Sequence, residues 1–159
     1  MMKITLISLG KLKEKYFTDA ATEYEKRISK YCDLKIIELC PQSLPDAPSE
    51  SLIKAALEKE AAAIQKAIPK GAYTVPFCIE GKKMSSEQFA KTVKDCENTG
   101  AHICFIIGSS YGLCESIKQK ANLKLSLSDM TFPHKLFKVM ALEQIYRAFK
   151  INEGGSYHK

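Results

Sequence analysis

The sequence predicts an α/β protein whose parallel sheet, of about five or six strands, is covered by helices on both faces. Strand-like segments near residues 3–9, 34–40, 72–79, 102–107 and 123–128 alternate with helical patterns. The last of them alternates strictly, with Leu123, Leu125 and Leu127 on one face and Lys124, Ser126 and Ser128 on the other. At 159 residues the chain fits one domain spanning 1–159, with a single sizeable core.

The opening segment, Met1 to Gly10, has a short apolar core without a small-residue cleavage site, so it reads as a first strand and not as a signal peptide. Phe17, Ala20, Ala21, Tyr24, Ile28 and Tyr31 are spaced for one helix face. After the second strand, three prolines in 41–49 mark a loop, and residues 51–68 are rich in the helix formers Ala, Glu and Lys. A third helix starts at Ser85 or Ser86, where Ser85 and Gln88 fit a capping box. A short fourth follows Gly112. The fifth runs from Pro133, whose fixed φ suits a first helical turn, to about residue 150.

Composition narrows the class of function. With 45% hydrophobic and 26% charged residues, and no apolar run near the roughly 18 residues of a membrane span, the chain is neither disordered nor a membrane protein and is expected in the cytoplasm. Six cysteines without CxxC spacing are expected as reduced, mostly buried thiols. Three scattered histidines, none paired with a cysteine at ligand spacing, give no support for a metal. The net charge of +6 is uneven: residues 118–159 carry eight Lys or Arg against three acidic residues, and Lys11, Lys13 and Lys15 follow the first strand. Two basic groups suggest a polyanionic partner.

Ligands of open α/β sheets bind beyond the carboxyl ends of the strands. The loop after the first strand lacks GxGxxG, and GxxxxGK[ST] occurs nowhere, which counts against dinucleotide binding and ATP hydrolysis. No GxSxG elbow and no paired carboxylates in an apolar context appear. Three loops remain: Ile107-Gly-Ser-Ser-Tyr-Gly-Leu113, where Gly108 and Gly112 allow close approach or positive φ; Ile79-Glu-Gly-Lys82; and residues 127–132, where Met130 and Phe132 are too apolar for a plain connection. Together they form three candidate walls of one pocket. His134 reads as a polar residue of the first helical turn and His102 as a core or strand-edge histidine. The tail Gly154-Gly-Ser-Tyr-His-Lys159 holds an aromatic pair at its tip, as a segment reaching into a site would.

The run Met130-Thr-Phe-Pro-His134, the segment 142–149 and the terminal Tyr157-His-Lys159, with residues 10–16 and 24–27, closely resemble the SPOUT-class family of bacterial 23S ribosomal RNA pseudouridine N3-methyltransferases. The resemblance covers the whole chain. It implies an α/β methyltransferase with a C-terminal trefoil knot, binding S-adenosylmethionine and acting as a homodimer on assembled ribosomes without a metal or a membrane. By position it assigns Phe77, Gly108, Leu127, Ser128, Asp129, Met130, Thr131 and Phe132 to the cofactor. The basic residues Lys11, Lys13 and Lys15, with Lys135 and Lys138, are expected on RNA, and Arg147, Tyr157 and His158 are the candidates for catalysis, with His158 or a water it holds as base, or else on an RNA phosphate, and Arg147 stabilising the developing anion. Ser109 stands where the family usually has a second glycine, and Lys135 and Lys138 where it tends to show Gln and Arg. Rival readings are a non-catalytic RNA-binding or ribosome-associated module and a flavodoxin-like nucleotide or redox protein.

Overall fold

The computed structural model describes residues 1–158, and of His158 the backbone alone. Strands β1 (Met2–Leu9), β2 (Cys32–Leu39), β3 (Tyr73–Lys83), β4 (Ile103–Ile107) and β5 (Leu125–Ser126) form one sheet in the order β2-β1-β4-β3-β5, every neighbouring pair parallel. Burial on both faces shows in the inner strands: Ile4, Leu6 and Ile7 of β1 and all five residues of β4 are buried. Helices α1 (Lys15–Ile28), α3 (Ser86–Asn98) and α5 (His134–Asn152) cover one face, with Ile28, Phe89 and Leu142 packed on Leu6 and Phe105. On the other face α2 (Glu50–Ala67) and α4 (Glu115–Gln119) set Ile64 and Ile117 against Ile7 and Ile106.

Local signals start these helices. At α3 the capping box forms in full: the Ser85 hydroxyl accepts from the Gln88 N–H, and the Gln88 side chain accepts from the Ser85 N–H. Ser49 caps α2 by accepting from the Leu52 N–H. Pro133 precedes α5 instead of entering it: its ψ of 135° is extended, and the helix begins at His134.

Two sequence expectations change. The strand expected over 123–128 shrinks to Leu125 and Ser126, and both are buried, so on the polar face of the alternation Lys124 meets solvent and Ser126 does not. The loop expected at 79–82 is the end of β3. There the chain bends, with both Phe77 and Lys82 registered on Leu125, and a Cβ on Gly81 would lie 2.7 Å from the Leu125 backbone. Gly81 thus serves backbone contact between β3 and β5.

The apolar residues of α5 wrap beyond one stripe because the helix has three neighbours in its own chain. It lies on the sheet between α1 and α3, tied to α3 where Ser86 Oγ donates to Gln144 Oε1 at 2.9 Å and Asn152 Nδ2 donates to Ala90 O at 2.9 Å. That surplus therefore does not by itself call for a second subunit.

Candidate active site

Beyond the carboxyl ends of β3, β4 and β5 lies a cavity of about 800 Å³. Its apolar floor is Phe77, whose ring stacks on Phe105 at 5.8 Å and meets the edge of Phe137 of α5 at 5.2 Å. One wall is the loop after β4, residues 108–113; a second is the loop after β5, which delivers Leu127, Ser128, Met130, Thr131 and Phe132; His134 joins from α5. Ile79 and Glu80 at the end of β3, with Lys118 of α4, complete the rim.

The loop after β4 has its shape because of two glycines with different tasks. Gly112 N–H donates to Ser109 O at 2.9 Å, closing a four-residue turn, and Gly112 takes a φ of +85° that other residues resist. Gly108 has no positive φ. Its hydrogen faces the turn instead, and an added Cβ would lie 2.4 Å from Gly112 O and 2.9 Å from Leu113 Cγ. A larger residue there would push the loop apart. Ser109, the residue that departs from the family pattern, donates from Oγ to Glu60 Oε1 of α2 at 2.8 Å.

Serines also hold the loop after β5. Ser126 Oγ donates to Ser128 O at 3.0 Å, and Ser128 Oγ accepts from Met130 N at 3.0 Å. Asp129 is the one residue of 127–132 that does not line the cavity, since its carboxylate pairs with Lys83 on the outside. At the rim Lys118 hydrogen-bonds Glu80 and holds that carboxyl below its usual range. Burial pushes the Cys78 thiol up, leaving a neutral wall. Met130 stays 74% exposed, Ile79 52% and Tyr111 46%, so the mouth carries apolar side chains that a bound molecule could cover.

Arg147 and Tyr157 lie elsewhere. Arg147 is thirteen positions beyond His134 on α5, roughly 20 Å at the rise of an α-helix. Its guanidinium binds Glu143 Oε1 through Nε at 3.0 Å and Nη2 at 2.6 Å, donates from Nη1 to Tyr157 O at 3.2 Å, and lies 4.8 Å from the Tyr157 ring centroid. Tyr157 meets Tyr146 edge-on at 5.1 Å, and burial raises its phenol so that it stays a hydrogen-bond donor. Ser156–His158 form a 3₁₀ turn against α5; the side chain of His158 lies outside the described residues.

The lysines divide. Lys11, Lys13 and Lys15 are exposed, Lys15 pairing only with Asp19 in its own helix. Lys135 donates to Glu14 at 2.7 Å and lowers that carboxyl. Lys138 is a correction. It is 5% exposed and donates to Glu38 at 3.1 Å, so its charge is spent inside the protein and does not reach an RNA surface. Glu60, which the sequence reading does not single out, carries a readable sign of burial: it shares the buried stripe of Ala56, Ala61 and Ile64 on α2. No groups of three or more His, Cys, Asp or Glu are placed to hold a metal among the described residues, and no helix is long and apolar enough to cross a membrane. All six cysteines are free, with Cys32, Cys96 and Cys104 buried and Cys40 exposed.

The profile of the family described as "Predicted SPOUT methyltransferase" matches residues 2–158. The chain belongs to that family. SPOUT relatives named ribosomal RNA large subunit methyltransferase H include one from Clostridium acetobutylicum, 49% identical over 162 residues, and one from Bifidobacterium adolescentis, 48% identical over 159, each alignment covering 99% of this chain and 100% of the relative. A solved structure, a probable methylase family protein from Haemophilus influenzae, superposes with a TM-score of 0.62 over 99% of this chain and 71% of the other at 11% identity, which speaks for the fold alone. Membership of a SPOUT methyltransferase family makes the chain an enzyme and sets aside the non-catalytic and flavodoxin-like readings.

Proposed function

We propose that the chain transfers a methyl group from S-adenosylmethionine to N3 of a pseudouridine in the 23S RNA of the assembled ribosome. The observation that carries the cofactor half is the cavity itself. At about 800 Å³ it falls in the roughly 300–1,000 Å³ range of small-molecule sites. Phe77, Gly108, Leu127, Ser128, Met130, Thr131 and Phe132, the residues a SPOUT resemblance assigns to the cofactor, converge on it from strand β3 and two loops. The ribosomal half rests on the names of relatives near half identity over their full length, and on Lys11 and Lys13 exposed after β1.

When bound, S-adenosylmethionine supplies an electrophilic methyl group on a sulfonium. The protein's task is to hold the acceptor nitrogen in line and to manage one proton, because N3 is a weakly acidic imide that must lose its hydrogen at or before attack. His158 is our candidate for that proton, directly or through a water. Arg147, kept cationic and oriented by Glu143, stabilises negative charge on the base, and the Tyr157 hydroxyl donates a hydrogen bond.

The last α5 residue on the cavity is Phe137, and the ten positions from there to Arg147, roughly 15 Å along the helix, mean that one protomer does not bring these groups together. A homodimer in which the tail of one copy serves the cavity of the other resolves the separation, and we propose that arrangement. We also assign the C-terminal trefoil knot, on the strength of SPOUT family membership. A soluble ribosomal substrate places the work in the cytoplasm.

The test is transfer of label from S-adenosylmethionine with a labelled methyl group to unmodified ribosomes in single turnover. Deletion of 157–159 should abolish transfer while cofactor affinity stays near wild type. Mixing the deletion variant with a cavity variant should restore part of the activity by pairing one intact tail with one intact cavity. No transfer by wild type would refute the proposed reaction, and no recovery in the mixture would refute the shared site.

A further inference from the structure

Glu60 is the only acidic residue buried among the described ones, at 4% exposure, and both its oxygens accept from neutral donors. Oε1 accepts from Ser109 Oγ at 2.8 Å in the loop after β4; Oε2 accepts from the Gln42 N–H at 2.8 Å in the loop after β2. Taking a carboxylate out of water without a cation is costly, and two hydrogen bonds to the charged form are what compensate it.

The loop that Glu60 grips is a partition with space on both sides. One side is the large cavity. On the other lies a second recess of about 380 Å³, bounded by Pro41, Gln42, Asp46, Leu57 and Glu60. Ser109, Ser110 and Tyr111 border both spaces, and Ser110 and Tyr111 at the tip are exposed. Ser109 is therefore the pivot: its carbonyl closes the turn to Gly112 and its hydroxyl ties that turn to α2. With the tie cut, the recess gives the partition room to lean away from the cavity.

We infer that Glu60 is a positioning residue for cofactor binding, acting through the Ser109 hydroxyl to hold the 109–112 turn in the shape that closes on S-adenosylmethionine. The inference rests on the reading of the large cavity as the cofactor site.

Titration calorimetry with S-adenosylmethionine, thermal melting and single-turnover methylation at saturating cofactor, on Ser109→Ala, Ser109→Thr, Glu60→Gln and the double variant Ser109→Ala with Glu60→Gln, test it. Ser109→Ala should raise Kd roughly tenfold, equivalent to about 1.4 kcal/mol, with the rate at saturation close to wild type. Ser109→Thr keeps the hydroxyl and should bind like wild type. Glu60→Gln, whose amide can donate to the Ser109 oxygen and so replaces a charge-assisted bond by a weaker neutral one, should weaken binding less than Ser109→Ala, and the double variant should bind no worse than Ser109→Ala, because both changes act on the same tie. A purely structural bond would lower the melting temperature and leave Kd alone, and that result overturns the inference, as does a Ser109→Thr protein as weak as Ser109→Ala. Should Glu60→Gln fail to fold, the two Ser109 variants still decide. Absence of S-adenosylmethionine binding by the wild type would instead overturn the cofactor reading on which this stands.

Discussion

Replacing Gly108 by valine puts the physical account of the cavity at risk most sharply. Already at alanine the new Cβ would lie 2.4 Å from Gly112 O and 2.6 Å from Gly112 C, and neither is the end of a flexible side chain. The turn must open. Opening it loses the Gly112 N–H to Ser109 O bond, about 1 kcal/mol net, and strains the Ser109–Glu60 bond, about 1.5–3 kcal/mol for a bond to a charged group. Taken as a loss in the ligand-competent shape, the sum of roughly 2.5–4 kcal/mol predicts a fall in S-adenosylmethionine affinity of about 60- to 800-fold. Gly112→Ala is the control. Nothing lies within 4 Å of a Cβ there, so only the positive-φ penalty of roughly 1–2 kcal/mol applies. Calorimetric titration of both variants, with circular dichroism to confirm folding, gives the answer. Affinity within twofold of wild type in a folded Gly108→Val protein would refute the claim that this turn forms a cofactor wall.

Other expectations follow from burial and charge. Burial pushes the thiols of Cys32 and Cys104 from the usual 9.0 to about 12. The unfolded chain then gives up these protons first, so stability is full below pH 9 and falls as pH rises towards 12, by at most ~1.4 kcal/mol per thiol for each pH unit; urea titrations at neutral and alkaline pH should show it, and a flat profile would contradict it. Lys138→Ala leaves Glu38 without its cation and should destabilise by about 2–3 kcal/mol, since Glu38 keeps some access to water; a melting curve checks this, and the salt dependence of RNA binding should not change. Lys11→Ala and Lys13→Ala should do the opposite, each reducing the salt slope of ribosome binding by about 1 while leaving stability alone.

How far the sequence could be read depended on whether the deciding interactions were local. The Ser85–Gln88 box spans four residues and was legible to the atom. The alternation of strands with helices gave the parallel sheet, because each segment carries its own period. Residues 123–128 misled in detail: their alternation looks like a half-exposed strand, yet Ser126 is buried by contacts made far away in the chain. Gly81 looked like a ligand-loop glycine because a close backbone approach to Leu125 has no local signature. The strand order, with β4 between β1 and β3, was likewise invisible.

The candidate site divides on the same line. Three loops were gathered into one pocket by the rule that ligands sit at strand carboxyl ends, and two of them wall the cavity directly while the third contributes Ile79 and Glu80 from a strand. Charge alone could not separate Lys138, buried against Glu38, from Lys11 in solvent. Nor could it put Arg147 at a distance from the cavity, which only the length of α5 reveals.

Nucleoside mass spectrometry of 23S RNA tests the central claim most directly. RNA should be compared from cells lacking this gene, from cells with the gene restored, and from cells carrying the Gly108→Val form. The account predicts a methylated pseudouridine, with the methyl on N3, that disappears with the gene, returns with the wild type and does not return with the variant. An unchanged nucleoside profile in cells lacking the gene would contradict it.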